Sequence, residues 1–241
     1  FLRYYSLGLL YARSPYAHHS IGSTMICTAD CYAAVRGMSR REAGEDFYFL
    51  NKLAKLAPMG KITGTRVYPS ARPSQRVPFG TGQRMLGFLA GQQREDFFYD
   101  PRIFLLLKQW LRGMEACIGD GGSFALRLAG DLSPLLVSFL ERNDFSAAWQ
   151  RICKTHKSPE KRTRHFQEWF DAFRTMKLVH YLSETVYPAV DLWQAVPELL
   201  ERLEDPLAGE VAVFRAKKAP GLAEGMEILE NLRRLDSRIV G

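Results

Sequence analysis

The sequence predicts an α+β, predominantly helical protein: a partial α/β half-domain over residues 1–90 followed by an α-helical region over residues 91–241. Three observations carry this. Short β-branched segments that suit strands fall only before Gly91. Beyond it, nearly every segment repeats its apolar residues at helical spacing. Ser158-Pro159-Glu160 among them is a good helix start, with a capping hydroxyl, proline in the first turn and an acid beside the positive helix end.

In chain order, Phe1 to Arg13 reads as a helix already in progress, without a basic leader or a small-residue cleavage site. The chain is therefore expected to continue something upstream. Ser14-Pro15 breaks the helix, and the alternation of Ile21 to Cys27 suits a short strand. Thr28 can cap a short helix, Ala29 to Arg36, that stops at Gly37. Glu45 to Leu56 places Phe47, Leu50, Leu53 and Ala54 on one helix face, with two acids in its first turn. Lys61 to Tyr68 has strand composition, and Pro69 to Gly82 reads as an ordered loop rich in proline, glycine and arginine. Helices are then expected at Pro101 to Ile118, Pro134 to Glu141, Phe145 to His156, Pro159 to Ser183, Leu192 to Leu203 and Leu222 to Arg238. Trp110, Trp149, Trp169 and Trp193 fall one per helix, as packing residues of a bundle.

Composition narrows the function classes. No apolar run approaches the roughly 20 residues that cross a bilayer, so a soluble, cytoplasmic protein is expected, with peripheral membrane contact left open. Cys27, Cys31, Cys117 and Cys153 lack a metal-ligand spacing and read as reduced packing thiols. The net charge of +7 is uneven: residues 1–90 carry 12 Lys and Arg against 4 Asp and Glu, whereas residues 91–241 carry 21 against 22. A compact basic segment suits a phosphate-bearing small ligand, and the neutral remainder argues against nucleic acid as a partner.

Two sets of residues could carry chemistry. Glu45-Asp46 follows Gly44 at a helix start, where backbone N–H groups and the macrodipole favour negative charge, so a carboxylate there can act as a base. Taken alone, such a pair is more often an ordinary acidic first turn. Arg72 and Arg76, followed by Gly80 and Gly82, combine bidentate guanidinium donors with glycines that let backbone N–H groups approach an anion, as a diphosphate requires. His18 and His19 precede the first expected strand, where imidazoles could contact a substrate or a metal or simply sit at the surface.

The order Gly22-Ser23-Thr24-Met25, Tyr32-Ala33-Ala34-Val35-Arg36-Gly37-Met38, Ala43-Gly44-Glu45-Asp46-Phe47, Leu50-Asn51-Lys52-Leu53 resembles the second half of a family-2-type glycosyltransferase of the GT-A fold. The resemblance covers about residues 1–90. Arg36 stands where the family usually carries the first of two glycines, and no Gln-x-x-Arg-Trp of the processive synthases is present. The resemblance implies an inverting transferase that moves a sugar from a nucleotide-sugar donor to a hydroxyl acceptor. Asp46 maps to the catalytic base and Glu45 to its acidic partner. The loop from Ser70 to Arg76, with Arg72 and Arg76, falls where related enzymes place the basic segment that closes over the donor diphosphate. Gly80 and Gly82 are expected to bind the donor beside it, and Gly22, Ser23, Arg36, Gly37 and His19 are expected on the acceptor side.

The family's nucleotide-binding strands and its D-x-D motif would lie upstream, since this chain contains no D-x-D. A divalent metal, Mg²⁺ or Mn²⁺, is accordingly expected in the intact enzyme with its ligands mainly outside these residues, and the chain alone is expected to be inactive. The rival expectation is a helical protein-interaction or scaffolding module that begins with a basic ligand-binding subdomain. A transferase half that now only scaffolds is a third.

Overall fold

Side-chain caps set most of the helix starts. Thr28 accepts the Cys31 N–H at 3.3 Å. Ser133 and Ser158, each followed by proline, accept from Leu135 and Lys161. Asp100 accepts from Arg102 at 2.8 Å and Asp191 from Trp193 at 2.8 Å. Each such bond satisfies one N–H that the first helical turn leaves without a partner.

The computed structural model describes residues 1–20, 22–40, 44–62, 64–65, 67–68, 86–87, 89–91, 97–120, 122, 124–203, 226, 229–230 and 232–234. It is predominantly helical. In order the elements are α1 (Leu2–Tyr11), a 3₁₀ turn (Gly22–Thr24), α2 (Ala29–Ala34), α3 (Glu45–Leu56), β1 (Phe97–Phe98), α4 (Pro101–Gly119), α5 (Ala125–Leu132), α6 (Pro134–Arg142), α7 (Phe145–Thr155), α8 (Pro159–Trp169), α9 (Ala172–Thr185), β2 (Val190–Asp191) and α10 (Leu192–Arg202). The described part of the expected helix from Leu222 to Arg238 is helical. No helix among the described residues is long and apolar enough to cross a membrane.

Two compact units divide the chain. The first comprises Phe1–Arg3, His18–Phe98 and Pro220–Gly241; the second comprises Tyr4–Ala17 and Tyr99–Ala219. Most of the opening helix, which sequence order joins to residues 1–90, thus belongs with the helical unit.

In the first unit, α3 supplies the core. Phe49, Leu50 and Leu53 are buried on one face, with Met25, Cys27, Cys31, Val35 and Met59 packed around them. Neither strand expected here is formed among the described residues. Gly22–Thr24 is a 3₁₀ turn in place of a strand over Ile21 to Cys27, and the described residues between Lys61 and Tyr68 have no strand conformation. Ile62, Val67 and Tyr68 are exposed. β-branched composition favours a pleated, half-buried surface, and without a neighbouring strand to pair with it does not make one.

In the second unit, α4 runs through the centre and packs against α5, α8, α9 and α10. Its buried positions, Ile103, Phe104, Leu107, Trp110, Leu111, Met114 and Ile118, follow the 3.6-residue period. Trp110 is fully buried, with its ring edge-on to Phe145 of α7 at 5.6 Å, Phe166 of α8 at 6.0 Å and Phe170 at 6.3 Å. It is the residue on which three segments converge, and truncating such a side chain costs about 3–5 kcal/mol. Gly8 lets α1 lie close by: a Cβ there would meet the Phe104 ring at 2.5 Å.

One expected helix proves to be two. The span from Pro159 to Ser183 breaks after Trp169, where Phe170 turns into the core and Asp171 caps α9 by accepting the N–H groups of Phe173 and Arg174, both at 3.1 Å. Burying Phe170 against Trp110 and satisfying the new helix start together outweigh continuing one helix. Helix α5, which is not among the helices expected from the sequence, buries only Ala125 and Ala129.

Candidate functional site

Gly44 adopts a left-handed conformation, φ 73°, and caps α3 without a side chain, its carbonyl accepting the Tyr48 N–H at 3.1 Å. Glu45 and Asp46 occupy the first turn, where the helix dipole favours acids. The Asp46 carboxylate is held at both oxygens. Oδ1 accepts the Phe47 N–H at 2.7 Å, and Oδ2 accepts the Gly22 N–H at 3.0 Å across 24 residues of sequence.

The approach of Gly22 depends on its lack of a side chain. A Cβ there would lie 3.2 Å from Asp46 Oδ2 and 3.3 Å from Asp46 Cβ, tighter than ordinary contact. The 3₁₀ turn thus lies against the start of α3, and two of the sequence-predicted residues, Asp46 and Gly22, meet through a hydrogen bond. The backbone of Ser23 lies in the same turn.

Arg36 and Gly37 form the turn after α2 and meet α3 at a different residue. Arg36 has φ 59° and Gly37 φ 65°, and the Gly37 N–H donates to the Tyr32 carbonyl at 2.9 Å, closing α2 with a left-handed turn. A Cβ on Gly37 would come within 2.9 Å of the Tyr32 ring, which itself packs on Phe49 at 5.6 Å. Lys52 Nζ donates to the carbonyls of Val35 at 3.1 Å and Gly37 at 3.2 Å. Lys52 is six residues beyond Asp46, about 9 Å along the helix axis at 1.5 Å per residue. The α2 turn is therefore anchored to α3 nearly two helical turns beyond Asp46.

His19 is half-buried. Beside it in sequence, His18 has its pKa lowered to about 4, mainly because burial disfavours the charged ring and secondly through His19. Arg72, Arg76, Gly80 and Gly82 lie outside the described residues. Among the described residues no group of three His, Cys, Asp or Glu side chains is placed to hold a metal ion, so Glu45 and Asp46 do not by themselves make a metal centre. The four cysteines are free thiols.

Sequence reasoning missed Lys52, which ties α3 to the end of α2. Its partners are carbonyls 15 and 17 residues away, and backbone acceptors leave no trace in residue identity. Comparison with family models, curated proteins and solved structures finds no match to this chain.

Proposed function

We propose that this chain is the acceptor-side part of an inverting glycosyltransferase of the family-2 type, with Asp46 as the catalytic base and Glu45 beside it. The observation that carries the reading is the hydrogen bond from the Gly22 N–H to Asp46 Oδ2, which joins two motifs of the resemblance that are 24 residues apart. A base must be fixed within reach of the proton it removes, and Asp46 is positioned by two backbone donors on a helix end.

In the proposed reaction, Asp46 takes the proton of the acceptor hydroxyl as its oxygen bonds to the anomeric carbon. The bond from that carbon to the diphosphate oxygen breaks with inversion, and the nucleoside diphosphate leaves with the electron pair. Arg72 and Arg76, with backbone N–H groups near Gly80 and Gly82, are assigned to neutralise the leaving group. Gly22, Ser23 and His19 stand on the acceptor side. The Arg36–Gly37 turn supports α3 from the far end. A divalent metal of the intact enzyme would take its ligands mainly from outside this chain and would neutralise charge on the leaving diphosphate.

The test is transfer from a panel of nucleotide-sugars, read as release of nucleoside diphosphate, by the protein translated from the complete reading frame. Asp46→Asn is expected to lower turnover by at least about 10²-fold, the scale of general-base catalysis, while leaving nucleotide affinity unchanged. Normal turnover by that variant would sink the assignment.

A second reading applies to the helical unit. It has its own aromatic core around Trp110 and contains none of the candidate transferase residues, which favours an interaction or scaffolding role for Tyr99–Ala219. Loss of transfer on deleting a catalytic side chain, with assembly unaffected, would separate the two roles.

A further inference from the structure

The cations of the helical unit divide into two groups. Many are engaged: Lys108 lies over the Tyr11 ring at 3.9 Å, Arg174 over Trp169 at 4.4 Å and Arg142 over Tyr181 at 5.5 Å, while Arg102 and Arg202 pair with Asp100 and Glu198 at 2.6 Å each. Arg151, Lys154, Lys157 and Lys161 differ. They are exposed, and among the described residues no carboxylate or aromatic ring engages their charged ends.

All four fall at the corner where α7 gives way to α8. Helix α7 ends at Thr155, His156 leaves it in an extended conformation, and Ser158 caps α8 by accepting the Lys161 N–H. Arg151 and Lys154 stand about one turn apart on α7, and Lys157 and Lys161 lie on either side of the α8 cap. The corner is pinned by its own side chains. The His156 ring stacks on His165 with centroids 3.9 Å apart, and Arg162 Nε donates to the His156 carbonyl at 2.9 Å.

Local anions do not neutralise the four cations. Glu160 is the single acid in residues 151–165, and the Ser158 hydroxyl hydrogen-bonds it at the start of α8. Glu168 is engaged with Arg164 and His165, both at 2.9 Å. The surroundings also limit the kind of contact. No large hydrophobic or aromatic side chain is exposed between Ser146 and Glu168, so a partner here meets charge alone, with no ring on which a nucleic-acid base could stack. A bilayer bearing anionic headgroups presents a continuous plane of negative charge, which an exposed cationic corner meets without a groove or a stacking platform.

From this group of unpaired, exposed cations on a pinned helix corner, we propose that the α7–α8 corner is a peripheral docking surface for anionic lipid membranes. Arg151, Lys154, Lys157 and Lys161 contact the headgroups, and the His156–His165 stack holds the corner in shape. The surface is independent of the transferase reading, because it contains none of the residues assigned there.

The test is cosedimentation of the full chain with phosphatidylcholine vesicles that contain or lack phosphatidylserine, at low salt and at about 1 M salt, where the screening length falls to about 3 Å. Binding is expected only with phosphatidylserine and only at low salt. Lys154→Gln/Lys157→Gln should lower the partition coefficient by about 30-fold, the scale for two cations near an anionic surface, without moving the melting temperature. Arg40→Gln/Lys55→Gln removes two charges from the basic first unit and should cost less than about twofold if the corner carries the contact. No binding to the anionic vesicles, equal binding to the neutral ones, indifference to the corner substitutions, or an equal loss from the first-unit pair would each overturn the proposal. Tighter binding, per phosphate, of a duplex oligonucleotide than of the vesicles would also overturn it, by reassigning the corner to nucleic acid.

Discussion

The carboxylate of Asp46 accepts the backbone N–H of Gly22 at 3.0 Å, so a turn that precedes α2 fixes the acid at the start of α3. This contact makes a sharp demand on residue 22. Gly22 is not in a left-handed conformation, so alanine is conformationally allowed, and the conflict is purely with Asp46. Gly22→Ala is expected to shift the carboxylate by a few tenths of an ångström, with a stability loss of about 1 kcal/mol or less. If Asp46 is the base, turnover should fall by about tenfold or more at unchanged nucleotide affinity. Parallel turnover and binding measurements separate this from general damage.

Arg36 occupies a left-handed conformation that costs a non-glycine residue about 1 kcal/mol. Its side chain is exposed, so little packing is lost on removing it. Arg36→Gly should raise the stability of the first unit by a net amount of up to about 0.5 kcal/mol after the added chain entropy of glycine, read as a higher denaturation midpoint. A midpoint that falls would mean that the guanidinium makes a stabilising contact, and acceptor binding would then be the property to measure.

Lys52 holds the end of α2 through two carbonyl acceptors. Lys52→Met keeps the aliphatic stem and removes both bonds, at a cost of about 1–2 kcal/mol. Amide exchange at Gly37, whose N–H closes the turn, should speed up before that of α3. Lys52→Arg should recover part of the protection.

His18 makes stability depend on pH in a definite direction. Its folded pKa of about 4 is below the 6.5 of the free ring, so between those values the unfolded chain binds the proton and the folded chain does not. Stability should therefore fall as pH drops from about 6.5 towards 4, by on the order of 2–3 kcal/mol in total. His18→Gln should flatten that limb of the stability curve, and a slope unchanged by the variant would assign the effect to other groups.

Helix positions were largely legible because helix signals are local. Glu45 to Leu56 was readable from its acidic first turn and apolar spacing, and Ser133-Pro134 and Ser158-Pro159 mark starts that the structure makes at those residues. The two strands expected in residues 1–90 were not readable in this way. A strand is stabilised by a partner elsewhere in the chain, so Ile62, Val67 and Tyr68 can carry strand composition and remain exposed. The break at Phe170-Asp171 was also hidden, although Asp171 is a usable cap. The choice between one helix and two depends on burying Phe170 against Trp110, 60 residues away in sequence.

The same division holds for the candidate site. An acidic pair opening a helix was legible in Gly44-Glu45-Asp46 alone, because capping and the helix dipole act over a few residues. That Asp46 is met by Gly22, and that the Arg36–Gly37 turn is tied to Lys52 instead, emerges only in the folded chain. Those relationships join residues far apart in sequence through backbone N–H and carbonyl groups and through packing, none of which is encoded in local residue spacing.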